Sequence, residues 1–357
     1  MSEKTKHTKD NIQELKWNEH IRKRPGMYLG QVNEKGFVDM LKRIISSAIT
    51  STDADSFSIE LKDNSEAKFR FNNQKGIIEN NWGQFKKNPT NLFFLEIFAL
   101  NALSKKFKIS FWNSSREKIG EEYFEKGEFI NGEEIESINC SIIEVEFVLD
   151  ESIWGKDFKW NKIYLTHQLR EFAYLYKRTK FEITYQEANE NCRLIYHFKN
   201  GLKDRIDIEI LNGLGGSYFE TEIDEKIEGF QIEAAFAFRD YSVDAPYLKS
   251  YVNDNFTFEN GTHVDGLLKG LTYGVMKYFQ KHELTEKYKI SEKGMKENLV
   301  AAINIKMDAP VFSGCVKNKL ANPEIIEPIA NYVAELLFNK IEKDEKSTEK
   351  LIRKFEM

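Results

Sequence analysis

The residues best suited to bind a ligand lie near the amino terminus, in the segment Arg22-Lys-Arg-Pro-Gly-Met-Tyr-Leu-Gly30. Pro25-Gly26 predicts a turn, because proline presets φ and glycine accepts positive φ. A turn directly after Arg22, Lys23 and Arg24 would present three cations to an anion. The alternative interpretation is an ordinary solvated basic loop, which needs no ligand.

Cysteine, histidine and glycine patterns add no second site. The six histidines and three cysteines, at 140, 192 and 315, lack the spacing of a zinc site or a disulfide framework. Gly213-Leu-Gly-Gly216 is not at a strand-to-helix junction of the kind that binds phosphate, so it is interpreted as a turn. We therefore expect no metal.

The composition favours a soluble cytoplasmic protein of two domains. The 357 residues are 41% hydrophobic, which allows a sizeable core, and the net charge of −5 argues against a general nucleic-acid binder. Any contact with DNA is expected to be indirect or weak. The amino-terminal residues are too polar for a signal peptide, and no apolar run approaches the length of a membrane span.

Apolar periodicity predicts an α+β fold. Helical spacing is found in four segments: 37–49, 92–103, 264–279 and 329–341. Strand patterns are found at 56–71 as a hairpin, 106–112, 140–149, 180–185, most of 204–260, and 299–307.

The segment from Arg22 to Gly30 closely resembles the stretch that opens the ATPase region of bacterial type IIA DNA topoisomerase B subunits, those of gyrase and of topoisomerase IV. Asn260-Gly-Thr-His263, residues 299–306 and Lys317-Asn-Lys-Leu320 resemble that family's transducer domain, in the same order. The resemblance implies a GHKL (Bergerat) α/β two-layer sandwich followed by a transducer of the ribosomal-protein-S5-domain-2 type. The domains expected from it are an arm at 1–20, an ATPase-like domain at 21–203, a transducer-like domain at 204–345 and a solvated charged tail at 346–357.

In this family a glutamate base, an asparagine that holds Mg²⁺ and an aspartate share one helix face at i, i+4 and i+7. The matching residues here are Arg43, Ser47 and Thr50, and Ser46 replaces a further aspartate. Arginine stays protonated and accepts no hydrogen bond, so Arg43 cannot be a general base. Loss of a general base typically lowers the rate of the catalysed reaction by about 10²- to 10⁴-fold. The alternatives are a solvated helix face and an anion contact at Arg43 without hydrolysis.

The family's adenine motif, D-D-G-R-G-I-P, corresponds to Asn72-Asn-Gln-Lys-Gly-Ile-Ile78. Lys75 keeps a cation, Gly76 keeps a glycine, and the Asn72 carbonyl remains an acceptor for an adenine amino group. Because Gln74 replaces a glycine and Ile78 a proline, an ordinary surface loop is the alternative.

The family's phosphate loop, G-G-L-H-G-V-G, corresponds to residues 90–96, which contain no glycine. Backbone amides need glycines to approach a triphosphate closely. We therefore predict that the triphosphate site is blocked by Asn91, Phe93 and Phe94. The carboxylate of Glu96 would also repel phosphates. The segment between Ile78 and Thr90 is also shorter than the resemblance implies for an ATP lid.

The resemblance leaves three functions open. The leading hypothesis is a pseudo-ATPase without a cofactor, acting as a binding or regulatory protein, either as a homodimer through its arm or in a heterodimer with a topoisomerase B subunit. The second is a working topoisomerase chain that uses ATP and Mg²⁺. The third is a module that binds another anion through Arg22, Lys23, Arg24, Arg43 and Lys75.

Lys317 stands at the position of the family's phosphate-sensing lysine. The alternative is an ordinary surface lysine. The sequence contains no acidic clusters of the TOPRIM kind, so a complete protein of this length would not be expected to pass DNA strands, whereas a fragment of a longer chain would leave that activity open.

Overall fold

The computed structural model divides the chain into two units, each with its own β-sheet. The first unit comprises Met1–Ala173 and Arg178–His197, and the second comprises Tyr174–Lys177 and Phe198–Met357. The structure describes residues 15–62, 65–78, 92–132, 138–187, 190–213, 215–227, 229–241, 245–314 and 317–355, with the backbone alone at 77, 78, 92–95, 138 and 292. Most of the predicted arm lies outside these residues.

The first unit combines helices with a large sheet. Its described helices are α1 (Trp17–Lys23), α2 (Pro25–Leu29), α3 (Glu34–Thr52), α4 (Leu92–Ala102), α5 (Glu151–Trp154) and α6 (Lys162–Ala173). Its described strands are β1 (Ser56–Leu61), β2 (Glu66–Asn72), β3 (Ile77–Ile78), β4 (Ser104–Trp112), β5 (Lys118–Glu125), β6 (Glu128–Gly132), β7 (Ile138–Asn139), β8 (Ile142–Leu149), β9 (Lys180–Glu187) and β10 (Glu190–Tyr196).

Eight of these strands form one sheet in the order β10-β9-β1-β2-β8-β4-β5-β6. The β1–β9 pair is parallel and the other pairs are antiparallel. Side chains alternate across a strand, so Phe69 and Phe71 of β2 are buried while Lys68 and Arg70 point to the other face. On that face Lys68 lies 3.2 Å from Glu60. One face of the sheet therefore forms the core and the other carries ion pairs.

Helix α3 covers the buried face of the sheet. Its apolar residues recur at helical spacing, and Phe37, Met40, Leu41, Ile44, Ile45 and Ala48 are all buried. The ring of Phe37 lies 6.0 Å from that of Phe147 on β8. The same helix also packs against α2, α4 and α6. The other residues of α3 are therefore held in place, because the apolar stripe of the helix packs against the sheet.

The second unit contains five described helices, α7 (Leu202–Asn212), α8 (Thr262–Lys281), α9 (Glu292–Lys296), α10 (Ile326–Ile341) and α11 (Glu345–Ile352). Its described strands are β11 (Ser217–Ile227), β12 (Phe230–Arg239), β13 (Tyr247–Val252), β14 (Asn255–Phe256) and β15 (Leu299–Lys306). They form a sheet in the order β11-β12-β15-β13-β14, in which β13 and β15 are parallel. The central strand β15 is buried along nearly its whole length.

Helices α8 and α10 approach each other closely along a row of glycines. Gly266, Gly270 and Gly274 repeat every four residues on one face of α8. A Cβ atom at Gly270 would lie 2.7 Å from the carbonyl oxygen of Ala330 and 2.7 Å from the Cβ of Val333. The absence of side chains at these positions is what allows the two backbones to come so near.

The main helices and strands expected from periodicity are confirmed, and so is the mixed α+β class. Two expectations are wrong. Residues 204–212 belong to helix α7 rather than to a strand region. The charged residues 345–352 form helix α11, and this end of the chain is not solvated all round, because Leu351 of α11 and Phe355 of the 3-10 turn that follows it are buried in the core of the second unit. Among the described residues, no helix is both long and apolar enough to cross a bilayer.

Replacing Gly270 by alanine should lower the free energy of unfolding by about 1–3 kcal/mol, because the added methyl would overlap the Ala330 carbonyl. This loss exceeds the gain that alanine normally gives in a helix. Chemical denaturation monitored by circular dichroism measures it. Gly26→Ala is the matched control, since nothing lies within 4 Å of the place its Cβ would occupy. Equal stability of the two variants would contradict the close packing of α8 on α10.

Candidate functional site

The basic segment near the amino terminus is helical rather than a turn. Helix α1 ends at Lys23, and Pro25 occupies the first position of α2, where its missing N–H is not needed. Lys23 and Arg24 are exposed. Arg22 is not presented to solvent, because its guanidinium donates to the carbonyl oxygen of Ala102 at 2.8 Å and to Asp150 Oδ2 at 2.6 Å. The prediction of three cations facing one anion is therefore wrong for Arg22.

Asp150 is the internal anion that Arg22 neutralises. Only 4% of the Asp150 side chain is exposed. Burial by itself raises the pKa of this carboxyl, but the backbone N–H of Ser152 and the Arg22 guanidinium more than offset it, so the pKa lies below its ordinary value. Arg22 thus links helix α1 to the end of α4 and to the start of α5.

Arg43, at the position of the family's base, lies at the junction of three helices. Its Nε donates to Glu96 Oε1 of α4 at 2.7 Å, and its Nη2 donates to the carbonyl oxygen of Tyr28 of α2 at 2.7 Å. The exposed fractions of the two charged side chains are 38% for Arg43 and 17% for Glu96. Neither the solvated helix face nor a free anion-binding arginine describes this position, and Glu96 acts as a partner of Arg43.

The remaining positions on α3 lie toward its carboxyl end. Thr50 is exposed and its hydroxyl donates to the Ser46 carbonyl oxygen at 2.9 Å, while Ser47 is half-buried. Lys75 lies in the loop after β2 and contacts the carboxyl end of α3. Its Nζ donates to the Thr50 carbonyl oxygen at 3.1 Å and lies 3.6 Å from Asp53. The fold therefore brings Thr50 and Lys75 together, and both are bonded within the chain.

Asn72 also makes its hydrogen bonds internally. Its Oδ1 accepts from the backbone N–H groups of Asp55 and Ser56 at 3.1 and 3.0 Å, and its Nδ2 donates to Asp55 Oδ1 at 2.8 Å. The carbonyl expected to remain available to an adenine therefore caps the start of β1. Gly76 has a φ of 76° and its carbonyl oxygen accepts from the Cys140 N–H at 2.8 Å, which fixes the path of the loop.

Two buried asparagines were not predicted as site residues. Asn73 donates to the Cys140 carbonyl oxygen at 3.0 Å, but its buried Oδ1 has no partner among the described residues. Asn101 is fully buried, and neither of its amide atoms has a partner in the part of the chain that the structure describes. Polar groups of this kind usually have partners. The sequence signal was present, since Asn73 belongs to the adenine motif and Asn101 follows the phosphate loop.

The segment equivalent to the phosphate loop is helical from Leu92 onward, so Glu96 lies one turn inside α4. From Glu96 on, the amides of a regular helix bond to carbonyls four residues earlier, unlike those of a glycine loop. Asn91 lies outside the described residues, and so do the side chains of Phe93 and Phe94. The prediction that these side chains block a triphosphate therefore stays a prediction.

The two candidate residues of the second unit differ in environment. Lys317 is exposed and has a φ of 57°. His263 is fully buried at the start of α8, where burial lowers the pKa of its imidazole to about 4 and its Nε2 lies 3.3 Å from the Thr257 hydroxyl. These features fit a neutral structural histidine. Within the described ranges, no group of three His, Cys, Asp or Glu side chains could hold a metal ion.

Arg22→Ala should destabilise the first unit by about 3 kcal/mol, because it leaves the buried Asp150 carboxylate with only the more distant Lys126, at 4.0 Å, as a cation. Lys23→Ala is the neighbouring control, and because Lys23 is exposed it should change stability by less than about 0.5 kcal/mol. Urea denaturation of both variants measures the difference. Similar midpoints for the two would mean that Arg22 is an ordinary surface cation.

The pair formed by Arg43 and Glu96 can be measured by a double-mutant cycle. Arg43→Ala, Glu96→Ala and the double variant should give a coupling energy of about 1 kcal/mol, since both side chains are partly shielded from water. Arg43→Ala should be the more damaging single change, because it also removes the bond to the Tyr28 carbonyl. Additivity within about 0.3 kcal/mol would show that the pair contributes nothing to stability.

Comparison with known proteins finds similarity to DNA gyrase B. A family model described as DNA gyrase B matches residues 198–356. The DNA gyrase B protein of Helicobacter pylori is 27% identical over 364 residues, covering 93% of this chain and 45% of the relative.

Solved structures share the fold. The 43K ATPase domain of Thermus thermophilus gyrase B, in complex with an aminocoumarin, has a TM-score of 0.78 at 19% identity and covers 95% of this chain and 94% of that chain. The topoisomerase IV ATP-binding domain of Francisella tularensis, in complex with a small-molecule inhibitor, has a TM-score of 0.72 at 21% identity, covering 94% of this chain and 95% of that chain.

The chain spans about half the length of the curated relatives it matches. The curated relatives and the solved structures nevertheless cover nearly all of this chain, whereas the family model matches residues 198–356 alone. This chain is similar in sequence to DNA gyrase B proteins over nearly its whole length, and it has the fold of the gyrase B ATPase domain.

Proposed function

We propose that this chain is a pseudo-ATPase, a binding or regulatory relative of topoisomerase B subunits that does not hydrolyse ATP. The observation that carries the proposal is the bonding of Arg43 to Glu96 and to the Tyr28 carbonyl oxygen, each at 2.7 Å. A general base must accept a proton from water, and a guanidinium has no acceptor.

The surroundings of Arg43 also disfavour a bound metal. Ser47 occupies the place of the family's metal ligand, and a neutral hydroxyl is a weaker ligand for Mg²⁺ than the amide carbonyl it replaces. Arg43 precedes Ser47 by one helical turn, and its guanidinium has no acceptor atom that could serve as a further ligand. This effect adds to the loss of the base.

Nucleotide binding is weakened separately. The Asn72 oxygen that would receive an adenine amino group already accepts two backbone N–H groups. Residues 90–96 contain no glycine, so close approach of backbone amides to phosphates is restricted. A nucleotide would have to displace internal hydrogen bonds that the folded chain already makes.

A scaffold without turnover can still associate with other chains. The proposed partners are a second copy of this chain, through residues 1–20, or a topoisomerase B subunit in a mixed dimer. Contact with DNA would be indirect or weak, ATP and Mg²⁺ would not be required, and a cytoplasmic location stays a prediction. Size-exclusion chromatography with light scattering, on the chain alone and mixed with a gyrase B protein, tests this role. A strict monomer in both cases would count against it.

The enzymatic part is tested by ATP turnover and nucleotide binding. We expect phosphate release at the background rate, and a shift in Tm below about 1 °C with Mg²⁺ and a non-hydrolysable ATP analogue at about 1 mM. A gyrase B ATPase fragment assayed in parallel is the positive control.

The decisive variant is Arg43→Ala. Turnover above background that co-purifies with the chain and disappears in this variant would overturn the proposal, because a contaminating ATPase would be unaffected. Tight analogue binding without turnover would also contradict it in part, by making the chain a nucleotide-binding protein.

A further inference from the structure

The second unit contains a cavity of about 400 Å³ where the carboxy-terminal residues meet the ends of β11 and β12. Four cationic side chains line it, against two carboxylates; the cations are Arg239, Lys350, Arg353 and Lys354, and the carboxylates are Asp240 and Glu297. The volume lies within the range of small-molecule sites. Neither the family resemblance nor the site around Arg43 accounts for this cluster.

Arg239 is the innermost cation. Only 6% of its side chain is exposed, and its Nη2 donates to Glu209 Oε1 at 2.9 Å. Its Nε is buried and has no hydrogen-bond partner among the described residues. A buried charged donor without an acceptor is costly, so a ligand oxygen at this point would satisfy a group that the protein leaves unpaired.

Lys354 forms another wall of the cavity. Its Nζ donates to the carbonyl oxygen of Glu297 at 2.7 Å and lies 4.3 Å from the centre of the Phe238 ring. Burial lowers the pKa of this ammonium to about 8, although the Glu297 carboxylate acts in the opposite direction. An ammonium held away from water interacts strongly with an incoming anion.

The carboxylate of Asp240 is largely neutralised in place. Its Oδ1 accepts from the backbone N–H of Gly216 at 2.7 Å, and its Oδ2 lies 3.8 Å from Lys350 Nζ. Lys350 and Arg353 are solvent-exposed at the rim, with 41% and 71% of their side chains accessible. An anion could therefore enter from the rim and meet buried cations behind it.

We propose that this cavity binds a small phosphorylated ligand of about pyrophosphate size. Phosphate oxygens suit the donors present, because a guanidinium presents several N–H groups in a fixed fork and ammonium groups add point charges. The ligand would bridge Arg239 on β12 to Lys350, Arg353 and Lys354, and so fix the carboxy-terminal helix on the sheet. The site is independent of whether the first unit binds ATP.

Isothermal titration calorimetry of the full chain with inorganic pyrophosphate tests the proposal. The ionic strength is held constant with chloride. We expect saturable binding of one pyrophosphate per chain. Lys350→Gln and Arg353→Gln should each lower the affinity about tenfold, because each removes about one charge-assisted hydrogen bond. Lys346→Gln is the matched control, since Lys346 is exposed on the same helix and does not line the cavity.

A second readout is proton uptake. Near pH 8 the Lys354 amine is partly neutral, and a bound anion favours its charged form, so this amine should take up about half a proton on binding. The other titratable groups that line the cavity are Tyr218, Asp240, Tyr241, Glu297 and Lys350. Pyrophosphate also titrates in this range, so the uptake by Lys354 is the difference in proton linkage between the unaltered chain and Lys354→Gln, measured by titrations in two buffers of different ionisation enthalpy.

Two results would overturn the inference. One is the absence of pyrophosphate binding at millimolar concentration. The other is an equal loss of affinity in Lys346→Gln and Lys350→Gln, which would indicate nonspecific attraction to a basic surface. Because the Arg353 side chain is largely exposed, Arg353→Gln should still fold, which circular dichroism can verify. This variant keeps the test informative if another variant fails to fold.

Discussion

The bonding of one arginine organises the amino-terminal part of this fold. Arg43 projects from α3 and joins Glu96 of α4 to the Tyr28 carbonyl at the end of α2. A guanidinium that is partly shielded from water needs acceptors, and Glu96 supplies one. The two side chains are chemically complementary, because the carboxylate of Glu96 neutralises the guanidinium of Arg43.

The same principle extends to the other altered positions. Arg22 neutralises Asp150, Asn72 caps the start of β1, and Lys75 bonds the end of α3. A ligand gains affinity from groups that exchange water for ligand atoms, and it gains little from groups already paired within the protein. Under the proposed function, the same internal hydrogen bonds that stabilise the scaffold would weaken nucleotide binding.

Much of this fold could be predicted from local sequence pattern, but its decisive contacts could not. The helical stripe of α3 and the alternation in β2 each specify an element without knowledge of its neighbours. The segment Ile206-Asp-Ile-Glu-Ile210 alternates like a strand, yet it lies in α7, where Ile206 and Ile210 are one turn apart and both buried. Glu96 lies 53 residues from Arg43, and no periodicity reports a pairing over that distance.

The carboxy-terminal segment shows where an external anion would have the greatest effect. Arg353 and Lys354 follow Lys350 by three and four residues, and all three cations line the same cavity, so they repel one another. Cations near a helix carboxyl end are favoured by its dipole, but only by a few tenths of a kcal/mol when exposed. In the first unit Arg22 and Arg43 have carboxylate partners, and Arg239 has one in Glu209, but the buried Nε of Arg239 has no partner among the described residues. A phosphate group would relieve the repulsion and pair the orphan donor at once, so the physical chemistry favours the second unit as the anion-responsive part of this chain.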